Sequence, residues 1–315
     1  MSTCSLLWNT LQLCIYPGKD TTAALISETD DEEWYSSPSI PNVKICNVPF
    51  SEGGYGQVFH CKVYNVKFDW VAKQVHIRRD LHWHQFDRSA VEREVSVLER
   101  LNHPNIVKCY GCEFLDSVAN IYLSFGGVSD LVTWSDSRRS YDSKARIHVM
   151  RQVVSAIEYL HSSSVVHGDI KLDNILITPR TDVVTLVDFG GCREVHRPVR
   201  LPVQRGTITY MAPELIRDAS KAPAFASDMW SLGISYFAMC FKIFPFKFAS
   251  VEDALYRKQL RRDSELRDIQ SMLNEDDDQT HVLAGEMSVM NNVLKVHPMR
   301  RISARAAMHC LDEAD

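Results

Sequence analysis

The amino-acid sequence predicts an α+β protein, with a small β-rich N-terminal part and a larger, mainly helical C-terminal part. Three observations carry that expectation. From Val43 to Val75 the chain is rich in β-branched and aromatic residues and is punctuated by glycines, as strands joined by tight turns are. Across residues 141–161, Ile147, Met150, Val154, Ile157 and Leu160 fall on one stripe at the helical period, the pattern of an amphipathic helix. Residues 229–246 are apolar nearly all round, which fits a helix buried in a core.

Composition narrows the class. With 315 residues, 45% of them hydrophobic, the chain can bury a full core. Its formal charge of −5 argues against a dedicated nucleic-acid binder, which would show a basic face. The nine cysteines form an odd, scattered set without disulfide-framework spacing, and so read as reduced thiols of an intracellular protein, cytoplasmic or nuclear. Cys109-Tyr-Gly-Cys112 has no second pair and reads as two small buried residues rather than a zinc site. No membrane partner is expected. The apolar run Leu6–Tyr16 is broken by Asn9, Thr10 and Gln12, and residues 229–246 contain Ser231, Ser235 and Lys242.

Taken in order, residues 1–40 read as an acidic tail. Glu28-Thr-Asp-Asp-Glu-Glu33 is a dense charge run, and Ser36-Ser-Pro-Ser-Ile-Pro41 favours an extended, solvated chain. Such a segment is either passive or the docking site of a regulatory partner. The next feature, Ser51-Glu-Gly-Gly-Tyr-Gly-Gln-Val58, is a glycine-rich turn whose backbone N–H groups can face an anion. Trp70-Val-Ala-Lys73-Gln-Val75 follows as a strand, and its alternation puts Lys73 on the side of Val71 and Val75, where a charge needs a partner. Ser89-Ala-Val-Glu92 reads as a capping box opening a helix that runs to about Leu101, with Val91, Glu94, Leu98 and Leu101 on its inward stripe. Glu94 is therefore the natural partner of Lys73. The run Ile121–Val128 reads as a further strand with a glycine turn, and Phe125 at its end.

The most informative stretch is His167-Gly-Asp-Ile-Lys-Leu-Asp-Asn174, followed by Asp188-Phe-Gly190. Between them two apolar runs flank a Pro and Asp turn, which reads as a β-hairpin. Antiparallel pairing brings Asn174, just before the first strand, beside Asp188, just after the second. An amide oxygen next to a carboxylate suits a hard cation such as Mg²⁺. Asp169 can accept a hydroxyl proton, and Lys171 can hold a phosphate. The set points to phosphoryl transfer.

These motifs resemble those of the eukaryotic-type protein kinases, over nearly everything from about Pro41 to the C-terminus. That family's loop reads His-Arg-Asp-x-Lys-x-x-Asn and is followed by Asp-Phe-Gly. The resemblance implies a bilobal fold, with an N-lobe of about 41–126 and a C-lobe of about 127–315. It implies ATP and Mg²⁺ as cofactors, with protein serines and threonines as acceptors. Phe50, Ser51, Gly53, Gly54, Gly56, Val58 and Val71 would enclose the nucleotide. Lys73, oriented by Glu94, would hold its α and β phosphates. Asn174 and Asp188 would hold Mg²⁺, Asp169 would take or orient the hydroxyl proton, and Lys171 would face the transferred group. Lys171 and Thr207, the latter near Asp169, resemble the serine/threonine branch. Asp228 would hold the catalytic-loop backbone, and Arg301 would pair with Glu214 of Ala-Pro-Glu.

Two departures go together. Gly168 stands where the family has the Arg that binds an activation-loop phosphate, and residues 189–205 contain no Ser, Thr or Tyr. Ordering by phosphorylation needs both receptor and phosphosite, so activity independent of loop phosphorylation is expected. A pseudokinase-type scaffold is the alternative, against which Lys73, Asp169, Asn174 and Asp188 all speak. A small-molecule kinase is a third reading, disfavoured by the segment Gly206–Glu214, which in protein kinases shapes the peptide site.

Overall fold

The computed structural model describes residues 34–53, 56–64, 69–77, 88–178, 181–195, 208–218, 224–246 and 282–313. These fall into two units, one of residues up to 102 with 107–125, the other of 103–106 with the residues from 126 on.

The first unit is a six-stranded antiparallel sheet, β1-β2-β3-β4-β6-β5 in spatial order. Its strands are β1 (Trp34–Ser36), β2 (Val43–Gly53), β3 (Gly56–Val63), β4 (Trp70–His76), β5 (Cys109–Phe114) and β6 (Val118–Ser124). Pro49 lacks a ladder donor and sits between two register shifts of the β2–β3 pair, where a strand tolerates it. Val43, Ile45, Phe59, Cys61, Ala72 and Tyr122 make one apolar cluster, against which Ile40, Val63, Trp70 and Tyr110 pack. Trp70 and Tyr110 stack with ring centroids 4.1 Å apart. Helix α1 (Arg88–Leu98) buries Ala90, Val91, Glu94, Val95, Val97 and Leu98.

Two local expectations differ from what forms. Ser89 lies inside α1, its hydroxyl accepting from the Arg93 guanidinium at 2.9 Å, while Glu92 is held by Arg88 at 2.8 Å. The capping box is therefore not made, because nearby arginines take both of its polar side chains. The α-helix also stops at Leu98 rather than Leu101; Arg100 N and Leu101 N turn back to Val97 and Leu98, the tighter bonding of a helix end. Residues 34–40 also depart from a solvated tail. β1 pairs with β2 through Trp34↔Cys46, Tyr35↔Ile45 and Ser36↔Lys44. Residues 1–33, with the acidic run, lie outside the described part.

The second unit is mainly helical. Asp130 caps α2 (Leu131–Ser135) and Asp142 caps α3 (Ser143–Ser162), each by accepting a backbone N–H of the first turn. β7 (Ser129–Asp130), β9 (Ile175–Thr178) and β10 (Val183–Leu186) form a three-stranded sheet in the order β10-β9-β7. β8 (Val165–Val166) pairs with β11 (Arg193–Glu194). α4 (Pro213–Asp218) precedes α5 (Ala224–Phe241), in which Met229, Trp230, Leu232, Ile234, Tyr236, Phe237 and Met239 are all buried. α6 (Ala284–Val293) and α7 (Ala304–Asp312) complete the described helices. A buried ion pair ties α3 to α6: Arg146 donates to Glu286 at 2.8 and 2.9 Å, and its remaining donors reach Ser140 O, Tyr141 O and Ser143 Oγ. Among the described residues no helix is long and apolar enough to cross a membrane.

Candidate active site

The candidate residues lie in both units, and each half has its own logic. In the first unit, β4 projects Lys73 toward α1, and its Nζ meets Glu94 Oε1 at 2.9 Å, with side-chain exposures of 12% and 4%. A carboxylate so enclosed is tolerable only because the ammonium reaches it. The register sets Val58 opposite Lys73, and Ser51 opposite Val58. Gly53 and Gly56 close the β2–β3 turn as the last cross-strand pair. Gly56 has φ +139°, and a Cβ there would fall 2.0 Å from Gln74 O, so the position requires glycine. Val71 is buried. Phe50 stacks on His60 at 4.1 Å, and Phe125 closes the group at 6.4 Å from Phe50 and 6.0 Å from His60. The sequence reading missed His60, although its two-residue spacing from Val58 on β3 would have put both on one face. Gly54 lies outside the described residues.

In the second unit the loop from His167 to Asn174 hangs on a buried carboxylate of α5. Asp228 accepts from His167 N at 3.0 Å, Gly168 N at 2.9 Å and His161 Nε2 at 3.0 Å. Burial alone would push its carboxyl up, but these bonds and the nearby imidazoles more than offset that and hold it below the usual carboxylate range. His167 bonds Val187 O through Nε2 at 3.0 Å and Asp169 N through Nδ1 at 3.2 Å. A carbonyl can only accept and an N–H can only donate, so these two partners fit the tautomer that carries a proton on Nε2. Phe189 packs edge-on against this ring at 4.8 Å. Gly168 has φ +81°, with Gly191 O only 2.7 Å from where a Cβ would stand, so backbone geometry as well as chemistry favours glycine.

Asn174 donates through Nδ2 to Asp169 O at 2.8 Å and to Asp169 Oδ2 at 3.0 Å. Lys171 Nζ lies 3.4 Å from the same Oδ2. Burial would depress the Lys171 ammonium, yet the charges of Asp169, Asp173 and Asp188 raise its pKa above the usual value, so it stays a cation. The hairpin brings the far end close: β9 and β10 pair from Ile175↔Leu186, and Val187 N donates to Asn174 O at 2.9 Å. Asp188, the next residue, is held in the left-handed region at φ 61°, ψ 76°, an uncommon conformation of the kind that clusters at functional sites.

The donor set fits a hard divalent cation of a particular kind. Among the described residues no group of three or more His, Cys, Asp or Glu is placed to hold a metal. The Asp188 carboxylate with the Asn174 amide oxygen, whose amide nitrogen is already spent on Asp169, is a sparse set. That suits Mg²⁺, which keeps water and takes phosphate oxygens from its substrate.

Past the site, β11 pairs with β8 and Val195 N donates to Ser164 O at 3.0 Å, so this stretch is tied to the strand that leads into the loop from His167 to Asn174. Residues 196–207, with Arg197, Arg200, Arg205 and Thr207, lie outside the described part. Beyond them Glu214 receives a fork of bonds from Arg301 at 2.6 and 2.7 Å, and Arg301 also donates to Ala226 O at 2.8 Å.

Comparison with known proteins agrees with this geometry. The family model described as "Protein kinase domain" matches residues 49–311. A probable myosin light chain kinase of Dictyostelium discoideum is 29% identical over 273 residues, covering 82% of this chain and 79% of that protein. Human calcium/calmodulin-dependent protein kinase type 1B is 37% identical over 158 residues, covering 48% of this chain and 44% of its own. The serine/threonine-protein kinase RAD53 of Saccharomyces cerevisiae is 35% identical over 188 residues, covering 55% of this chain and 22% of its own. The chain thus spans less than half the length of these last two relatives. It belongs to the protein kinase family.

Proposed function

We propose that this protein kinase transfers the γ-phosphoryl group of ATP to serine and threonine hydroxyls of protein substrates, with Mg²⁺ as the metal. The observation that carries the reading is the junction of Asp169, Lys171 and Asn174 in one hydrogen-bonded loop, with Asp188 delivered beside Asn174 by the hairpin register. When bound, Mg-ATP supplies the phosphoryl group and neutralises its charge. The chain's own residues bind and orient. Phe50, Ser51, Gly53, Gly54, Gly56, Val58 and Val71 cover the nucleotide, and Lys73, fixed by Glu94, holds phosphate oxygens. Asn174 and Asp188 hold the metal. Asp169 receives the hydroxyl proton at its carboxylate, and Lys171, kept cationic by three carboxylates, faces the group in transit.

The kinase domain is placed at 41–315, with an N-lobe to about 126, acting in an intracellular compartment. Residues 1–40 are read as either a passive tail or the docking site of a regulatory partner. Lys171 and Thr207 support the serine/threonine acceptor class, as do the names of the relatives. Purified protein given Mg-ATP and a mixed peptide library should yield phosphoserine and phosphothreonine; predominant phosphotyrosine would overturn the assignment.

Activity is further proposed to be independent of activation-loop phosphorylation. Gly168 removes the usual cationic receptor, and the β8–β11 pair offers a hold on the loop's start that needs no phosphate. Protein made in bacteria and treated with phosphatase should keep its specific activity. A loss beyond about tenfold, restored by an upstream kinase, would show that a phosphate does the ordering.

A further inference from the structure

Residues 34–40 form a strap fastened to the sheet by a buried carboxylate. Glu113 on β5 is 2% exposed. It accepts from the Tyr122 hydroxyl, from Asn120 Nδ2 at 2.9 Å, from Ser37 Oγ at 2.9 Å and from Ser39 N at 3.1 Å. Burial pushes its carboxyl up, but these donors more than offset that and keep it ionised. Ser37 Oγ also accepts from Ile40 N at 2.9 Å, which closes the turn around Pro38. One hydroxyl thus both docks the strap on Glu113 and closes its turn.

Apart from Ile40, which packs against the apolar cluster of the sheet, its remaining attachments are modest. β1 is three residues long, at the edge of the sheet. Beyond its pairing with β2, Ser37 N donates to Val43 O at 2.9 Å, and the Lys62 ammonium sits 4.2 Å over the Trp34 ring. Short terminal edge strands open at low cost. Among the serines and threonines of the sequence, two precede a proline, Ser37 and Thr178. Thr178 is paired within the β9–β10 hairpin, whereas Pro38 is exposed next to Ser37. A proline at that place presents a fixed backbone angle and no N–H, features a kinase can select for.

We propose that Ser37 is a phosphorylation site for a proline-directed protein kinase, and that the phosphate unlatches the strap from the sheet by opposing Glu113. In the transfer a bond forms between Ser37 Oγ and the γ-phosphorus of ATP as the bond to the ADP oxygen breaks. The hydroxyl proton goes to the catalytic base of that kinase. The product removes a donor from a buried carboxylate and sets about two negative charges against it, the arrangement in which phosphorylation disrupts rather than orders. Re-closing is then opposed, and the backbone edge of β2 from Lys44 to Cys46 is bared. The inference stands apart from the chain's own activity, since here the chain is the substrate.

The test uses the full chain carrying Asp188→Asn, so that its own turnover adds no phosphate. It is incubated with a purified proline-directed kinase and Mg-ATP, then mapped by peptide mass spectrometry and followed by amide hydrogen exchange. The expected result is phosphate at Ser37, with exchange across residues 34–46 faster by about tenfold or more, and neither change in a Ser37→Ala version. In a Glu113→Gln version the phosphate should still attach but exchange should rise far less, since the opposing charge is gone. No phosphate at Ser37 after prolonged incubation, or phosphate there with unchanged exchange, overturns the proposal. Equal acceleration in the Glu113→Gln background overturns the electrostatic latch.

Discussion

Asp188→Asn should lower phosphoryl transfer by about 10³-fold or more while leaving the fold in place, because it removes the charge proposed to hold the metal and phosphates. The substitution keeps the side-chain shape, and asparagine is one of the few residues that tolerates the left-handed backbone found at this position. A turnover assay at saturating Mg-ATP, run beside a thermal melt, separates the two effects. Wild-type turnover equal to that of Asp188→Asn would move the protein to the scaffold reading. Lys73→Met should lose activity on a similar scale but is the less clean probe. It strands the Glu94 carboxylate, 4% exposed, without its ammonium, so a stability cost of about 1–3 kcal/mol should accompany it. Asp169→Asn should cost about 10²–10⁴-fold if proton acceptance at its carboxylate matters.

How much of this was legible in the sequence depended on how local the signal was. The β9–β10 hairpin is written in two adjacent apolar runs and a turn, so the pairing could be read directly; the register is one residue off, with Val187 rather than Asp188 opposite Asn174 and Asp188 the next residue along. Glu94 was found as the partner of Lys73 because a carboxylate on an apolar helical stripe demands an opposite charge, and one candidate lay on the strand before it. The same reasoning did not reach Arg146. Its partner Glu286 is remote in sequence, on a helix that shows no pairing signal of its own. The strap failed for the same reason. A Ser- and Pro-rich segment reads as solvated unless one knows that Glu113 stands behind it to accept from Ser37 and Ser39. At Ser89, a cap motif lost to competing arginines that lie one helical turn from its side chains. Local chemistry was readable, whereas distant carboxylates that reorganise it were not.

Replacing Asp228 with alanine should be the most destructive single change to the second unit, costing about 3–5 kcal/mol, because it leaves buried donors without their acceptor. Three bonds converge on this carboxylate, and two come from the backbone of His167 and Gly168, at the entrance of the catalytic loop. With a typical domain stability of about 5–15 kcal/mol, the variant should still fold at low temperature but melt well below the parent. What survives should be a poor catalyst: a loop released by even an ångström moves Asp169 and Asn174 off their positions, and misplacement on that scale costs about 10²-fold. Because Asp228 spends its bonds on His161 and on the backbone of His167 and Gly168, the loss should fall on kcat, with the KM for ATP little changed. The acid side of the stability profile supplies a second readout. A carboxyl held below its usual range contributes stability that is present above the ordinary carboxylate pKa, near about 3.9, and that fades as pH falls through its lowered value. The parent should therefore lose stability in that acid window, and the alanine variant should show a shallower decline there. An unchanged acid profile together with unchanged kcat would mean that the catalytic loop is held by something other than Asp228.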